Sequence, residues 1–273
     1  MIRSFFDVTG ALIITGVFLL LFLIESRYAL RKRVQGRWKR LLINFLLSLP
    51  AFALLRFLLI PAMVWVATKN QSWHLGVINL FEAPLVLKSI VAFMLLDYTN
   101  YIWHFLLHNL PFLWRFHLVH HTDLDLDVTT AFRFHFGEMI TSVVFRGATV
   151  LLTGASPMTV LIYEICFEAA AQFHHSNTRL PLHVERIINY LIVTPRMHGI
   201  HHSVIKRETD SNYSVIFSVW DRLHNTSRRE FEKQVLIGVP SYADPKELTV
   251  KQLLILPFKT IRGWGEKSEA TKK

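Results

Sequence analysis

The chain has 273 residues, of which 52% are hydrophobic and 18% charged, with 21 phenylalanines and a single cysteine, Cys166. Soluble domains carry about 25% charged residues, so this composition excludes a disordered chain and argues against a purely soluble globule. One cysteine excludes a disulfide framework and any cysteine-based zinc or iron–sulfur site. The 30 Lys and Arg outnumber the 20 Asp and Glu. They flank apolar runs, where basic residues set membrane orientation, and no nucleic-acid motif accompanies them, so no nucleic-acid partner is expected.

Val8 to Ile24 is uncharged and just long enough to span a bilayer. Basic residues follow this run and no small-residue cleavage site does, so it reads as an uncleaved first transmembrane helix. Arg27, Arg31, Lys32, Arg33, Arg37, Lys39 and Arg40 crowd the next connection, which the positive-inside rule places in the cytoplasm. Leu41 to Ala67 returns across the membrane, and Leu85 to Leu107 crosses again with Asp97 inside it. Met139 to Phe173 is apolar but broken by Gly154, Ser156 and Pro157, a pattern of two short helices in a hairpin that enters and leaves on one face. The predicted fold is therefore an all-α integral membrane bundle of about three spans plus a short helical hairpin, with a cytoplasmic helical cap. The predicted divisions are transmembrane helices over 1–107, a histidine-rich region over 108–223 that includes the hairpin 139–173, and a carboxy-terminal segment over 224–273. Within the last, Leu248 to Trp264 reads equally as an interfacial helix or as one packed on the protein. Lys267 to Lys273 reads as a frayed tail.

Fourteen histidines are present, and their spacing carries the chemistry. His104 and His108 are four apart; His117, His120 and His121 follow; His198, His201 and His202 repeat the same H-x-x-H-H pattern. On a helix, positions i, i+3 and i+4 share a face, so each cluster can aim two or three imidazoles at one point. Imidazole suits iron, zinc, copper or nickel. His135 and the pair His174 and His175 extend the set beyond what one ion can use, which argues for two metals. His74, His183 and His224 fall outside the pattern and read as structural or surface residues. Asp97, two turns before His104, is placed to accept a ring N–H from a ligating histidine. Glu164 and Glu168, four apart in the hairpin, read as facing basic partners such as Arg146.

The boxes H-x3-H, H-x2-HH and H-x2-HH resemble those of the fatty acid hydroxylase (sterol desaturase) superfamily, integral-membrane di-iron oxygenases. So do Trp114-Arg115-Phe116-His117, Asp123 to Thr130, His175-Ser176-Asn177, Pro195-Arg196-Met197-His198, Asn212-Tyr213 and Trp220-Asp221-Arg222-Leu223. The resemblance spans roughly Asp97 to Leu223, nearly half the chain. It implies metal ligands at His104, His108, His117, His120, His121, His175, His198, His201 and His202. His135 matches the histidine of an Arg-x-His-Pro-x-Glu element and completes the implied set, with Asp97, Glu138 and Asn177 in support. Phe105, Phe136 and His224-Asn225-Thr226 depart from the family pattern without removing an implied ligand.

The resemblance implies two irons, for which zinc can substitute on purification, and an oxidoreductase that uses O2 to hydroxylate or desaturate a lipid C–H bond. The lipid, a sterol, fatty acyl chain or related molecule, would enter from the bilayer. No flavin, haem or iron–sulfur motif is present, so the electrons come from an external cytochrome b5, ferredoxin or pterin. A zinc-dependent membrane hydrolase and a non-catalytic metal-binding membrane protein are the alternatives, although H-E-x-x-H is absent. A bacterial inner membrane and an endoplasmic reticulum fit equally, with the histidine boxes on the cytoplasmic side.

Overall fold

A computed structural model describes residues 2–230 and 234–265. The predicted frayed tail, Lys267 to Lys273, lies outside the described residues. Among the described residues there is no named strand, only three isolated β-bridges, so the all-α expectation holds.

Helix α1 (Ile2–Arg27) leads into α2 (Arg37–Leu54), which continues through a π turn (Leu55–Leu59) into α3 (Ile60–Trp73). The π turn lies just ahead of Pro61, whose missing N–H leaves an i−4 carbonyl without its helical partner. Helix α4 (Leu85–Asn109) ends one residue before Pro111, the first residue of α5 (Pro111–His121). Proline fits the first helical turn and not the interior, which places the break between the first two histidine clusters. A 3-10 turn (Val128–Phe132) then leads to α6 (Phe136–Thr153) and α7 (Pro157–His175). Four stretches are long and apolar enough to cross a membrane: Val8–Arg27, Arg37–Asn79, Leu85–Asn109 and Phe136–Thr153.

The hairpin forms where the sequence breaks. Gly154 closes α6 at φ 81°, and Ser156 caps α7 by accepting from the Thr159 amide. It is deeper than the short hairpin expected. Its tip meets the α3–α4 connection so closely that a Cβ at Gly76 would collide with the Gly154 backbone. Both of its ends still lie at the level where α4 ends, so the histidine clusters share one end of the bundle. Leu59, Met63, Leu96, Val150 and Tyr163 form the apolar core between α3, α4, α6 and α7. Leucines such as Leu12, Leu19 and Leu23 on α1 point outward, as a lipid-facing helix requires.

Short helices build the cap: α8 (Leu182–Ile188), α9 (Pro195–His201), α10 (Lys206–Thr209), α11 (Val219–Leu223) and α12 (Val250–Ile255). Leu248, Leu253 and Leu256 are buried against Leu47, Leu118 and Val119, and the Trp264 indole donates to the Val204 carbonyl at 3.0 Å. This segment packs on the protein.

A buried polar knot ties α2 to the loop after α5. Arg40 pairs with both oxygens of Asp123 and with Asp127, while Asn44 bonds Thr129 and Arg133 donates to the Asn44 side chain and the Val119 carbonyl. Burial alone would raise the Asp123 carboxyl, but the Arg40 and Arg133 guanidinium groups hold it down, to about 2. Here the sequence stretch Asp123 to Thr130 finds its structural purpose: it seats the second histidine cluster on the membrane helices.

Candidate metal centre

Nine histidines converge in two adjacent groups. His104 and His108 from α4, His117 and His121 from α5 and His201 from α9 form one; His120, His175, His198 and His202 form the other. Every member is buried. Each H-x-x-H-H box is divided between the groups. Its i and i+4 members turn one way, and its i+3 member, a large rotation away about the axis, turns the other. Two imidazoles of each box thus meet at one point and the third joins the other group: α5 gives two histidines to the first group and one to the second, and α9 does the reverse.

The ring nitrogens show what the groups are built for. His104 donates its Nδ1–H to the Tyr213 carbonyl at 2.8 Å, His201 to the Ser211 carbonyl at 2.7 Å, and His175 to the Ala171 carbonyl at 2.7 Å. His117 Nδ1 lies 3.2 Å from Glu138 Oε2. A neutral imidazole that donates from Nδ1 presents a bare lone pair at Nε2. In the first group all five Nε2 atoms are buried without a hydrogen-bond partner. Five orphaned acceptors facing one another are a severe cost unless a cation takes them.

In the second group the four Nε2 atoms form a closed ring with edges of 3.0 to 3.1 Å. His175 has no proton to give at this nitrogen, so the ring cannot be four ordinary hydrogen bonds. Nitrogen ligands about 2.1 Å from one metal and at right angles stand about 3.0 Å apart. Burial first, and then neighbouring imidazoles, hold His120, His121, His198, His201 and His202 well below the usual histidine range. Their lone pairs are therefore free at neutral pH. The residues fit two metal ions.

The structure sorts the remaining candidates. His175 joins the second group, whereas His174 turns its Nδ1 to the Val215 carbonyl at 3.1 Å. His135 is in neither group: its Nδ1 accepts from the Gly137 amide and its Nε2 lies 3.1 Å from the Leu254 carbonyl. Asn177 touches no histidine; it bonds the Arg31 amide and carbonyl and so fastens the α1–α2 connection beside the end of α7. Glu164 pairs with Arg146, as expected. His224 stacks on Tyr101 at 4.9 Å and bonds the Tyr98 hydroxyl, a structural role.

Asp97 differs from expectation. It accepts from the Ile216 and Phe217 amides and from the Trp220 indole at 2.7 Å, not from a histidine. It thereby holds the strand-like segment whose Tyr213 carbonyl fixes His104. Asp97→Ala leaves these donors unpaired inside the protein, and an expected loss of about 3 kcal/mol of stability follows. Chemical unfolding in detergent measures it. Glu138→Gln removes the anionic partner of His117 and is expected to weaken metal affinity about 10- to 100-fold, read by competition with a chelator.

The backbone carbonyls of Ser211 and Tyr213 were not foreseen. Between them Asn212 takes φ 54°, with its side chain bonded to the Met197 and Arg228 carbonyls. Asparagine tolerates this left-handed conformation, and the reversal sends its two neighbours' carbonyls to His201 and His104. The Asn212-Tyr213 pair was the available signal.

An apolar cavity leads from the histidines into the bundle, walled by Ala51, Leu55, Trp103, Phe134, Met139 and Phe167. A cavity lined this way, meeting the histidine groups, suits an apolar ligand.

The fatty acid hydroxylase family model matches residues 89–226, half of the chain. This chain belongs to the fatty acid hydroxylase family. It is 28% identical over 179 residues to alkylglycerol monooxygenase of Danio rerio, covering 64% of this chain and 38% of that protein. It is 29% identical over 147 residues to the ornithine lipid hydroxylase OlsE of Rhizobium tropici, covering 52% of this chain and 42% of that protein. It is 27% identical over 154 residues to human cholesterol 25-hydroxylase, covering 54% of this chain and 55% of that protein. The chain thus spans between about two-fifths and just over half of the curated relatives named. No solved structure matches.

Proposed function

We propose that this protein is an integral-membrane lipid hydroxylase that holds two irons and takes its electrons from an external donor. The observation that carries the reading is the pair of buried imidazole groups at the end of an apolar cavity, one with five unpartnered Nε2 atoms and one with four Nε2 atoms closed on one another. The relatives named above are hydroxylases and a monooxygenase acting on different lipids, which favours hydroxylation over desaturation. When bound, the two irons supply the oxidising power that no side chain has, for the balance R–H plus O2, two electrons and two protons giving R–OH and water.

The protein does the rest. His104, His117, His175 and His201 are locked in the tautomer that offers Nε2 by the acceptors on their Nδ1 atoms. Imidazole ligands bring no negative charge to the bound ions, and the first group draws the Glu138 carboxylate close through His117. The apolar walls exclude water and hold a C–H bond near the histidines. The basic connection between α1 and α2 supports a cytoplasmic histidine end, where a cytochrome b5, ferredoxin or pterin donor would reach it.

The test is consumption of isotopically labelled O2 by purified protein in lipid nanodiscs with a chemical reductant. The proposal expects one labelled oxygen in a lipid alcohol, dependent on reductant and on iron. Ester hydrolysis that proceeds without O2 would point to a zinc hydrolase instead.

A further inference from the structure

Two neighbouring cavities inside the bundle share lining residues, and one carboxyl group stands in this shared window. The inner cavity starts at His104, His120, His175 and His198 and runs to Leu55, Arg146 and Glu168. The outer cavity lies between α1, α2 and α7, bounded by Ala11, Ile14, Phe45, Ile60 and Ile165. Phe52, Leu55, Phe132 and Glu168 line both. Phe132 sits 5.4 Å from Phe18 and 5.5 Å from Phe52, ring centre to ring centre, so aromatic edges frame the passage.

The polar groups beside the window are unevenly satisfied. Arg146 pairs with Glu164, and its guanidinium lies 5.2 Å from the Phe167 ring centre. The charged neighbours of Glu168 are Glu164 and Arg146. Arg146 is committed to Glu164, and among the described residues no group hydrogen-bonds the Glu168 carboxyl. A carboxyl placed in an apolar passage without a partner is costly, and it is relieved by any ligand that brings a donor.

We propose that Glu168 anchors the polar end of the substrate, a lipid carrying a hydroxyl or ammonium group, while its hydrocarbon chain extends to the histidines. The proposal rests on the lipid hydroxylase reading and names the chemical class of its substrate. It also sets a spacing. Glu168 precedes His175 by seven residues on α7, about 10 Å along the helix. The carbon presented at the histidines is on the order of six to eight carbons from the donor group.

Full-length, iron-loaded protein in phosphatidylcholine nanodiscs tests this by thermal unfolding with three probes of equal chain length: hexadecanol, hexadecylamine and the methyl ether of hexadecanol. Binding to the folded state raises the midpoint. The alcohol and the amine are expected to raise it and the ether, which has no donor, is not. Glu168→Ala is expected to abolish the difference at unchanged iron content, and Glu168→Gln to keep the response to the alcohol while losing that to the amine. Should Glu168→Ala not fold, the Gln variant carries the comparison. Equal shifts with all three probes in the wild type, or a variant at Glu168 that discriminates as the wild type does, would overturn the anchor. A folded wild type that retains no iron after loading would instead overturn the di-iron reading, and the unfolding shifts, which need no turnover, keep the two failures apart.

Discussion

His201→Ala is expected to empty the five-histidine group while the four-histidine group keeps its ion, and His202→Ala to do the reverse. The two residues are adjacent in sequence, yet His201 faces His104, His108, His117 and His121 whereas His202 faces His120, His175 and His198. Each variant alone is expected to lower turnover by at least about a hundredfold, a larger loss than removing an outer partner of a ligand. The double variant is expected to hold no metal and to show no turnover. Elemental analysis of folded protein separates these outcomes. Loss of both ions from either single variant would mean that the two groups act as one cluster.

Arg40→Ala is the second large effect expected, on stability rather than metal. The guanidinium is almost fully buried and satisfies Asp123, Asp127, the Asp125 carbonyl and Thr130. Removing it leaves the buried Asp123 and Asp127 carboxylates without their paired guanidinium, Arg133 being the cation that remains near Asp123, and breaking such a buried pair costs about 3–5 kcal/mol. Unfolding in detergent by chemical denaturant reads the loss. The pH dependence has a definite sign. Asp123 is held down to about 2 from an ordinary value of 3.8, so its contribution is complete above pH 3.8 and disappears as the pH falls towards 2. The wild type should lose stability across that window, and Arg40→Ala, which has already lost most of that contribution, should lose less.

Much of this was legible in the sequence. Gly154 and Pro157 marked the break in the hairpin because their backbone chemistry favours helix ends, and the structure breaks there. Eight of the nine converging histidines stood in three clusters whose spacing puts them on helix faces; the family pattern supplied His175. What periodicity could not say was which way each imidazole turns. H-x-x-H-H fixes a face of the helix, but the partner groups on that face come from other helices, and His120 and His202 meet across 82 residues of sequence. Asp97 was legible as a functional carboxylate and not as the clasp of the 216–220 segment, because its donors lie about 120 residues away. The carbonyls of Ser211 and Tyr213 were invisible as chemistry, since any residue carries a carbonyl and only the turn at Asn212 aims them.

Iron content of the wild-type protein tests the central claim most directly. Protein from iron-supplemented cells, purified without chelator and verified as folded, is predicted to carry two iron ions per chain, one for each imidazole group. Folded protein with no metal, its nine histidines unoccupied, would contradict the account.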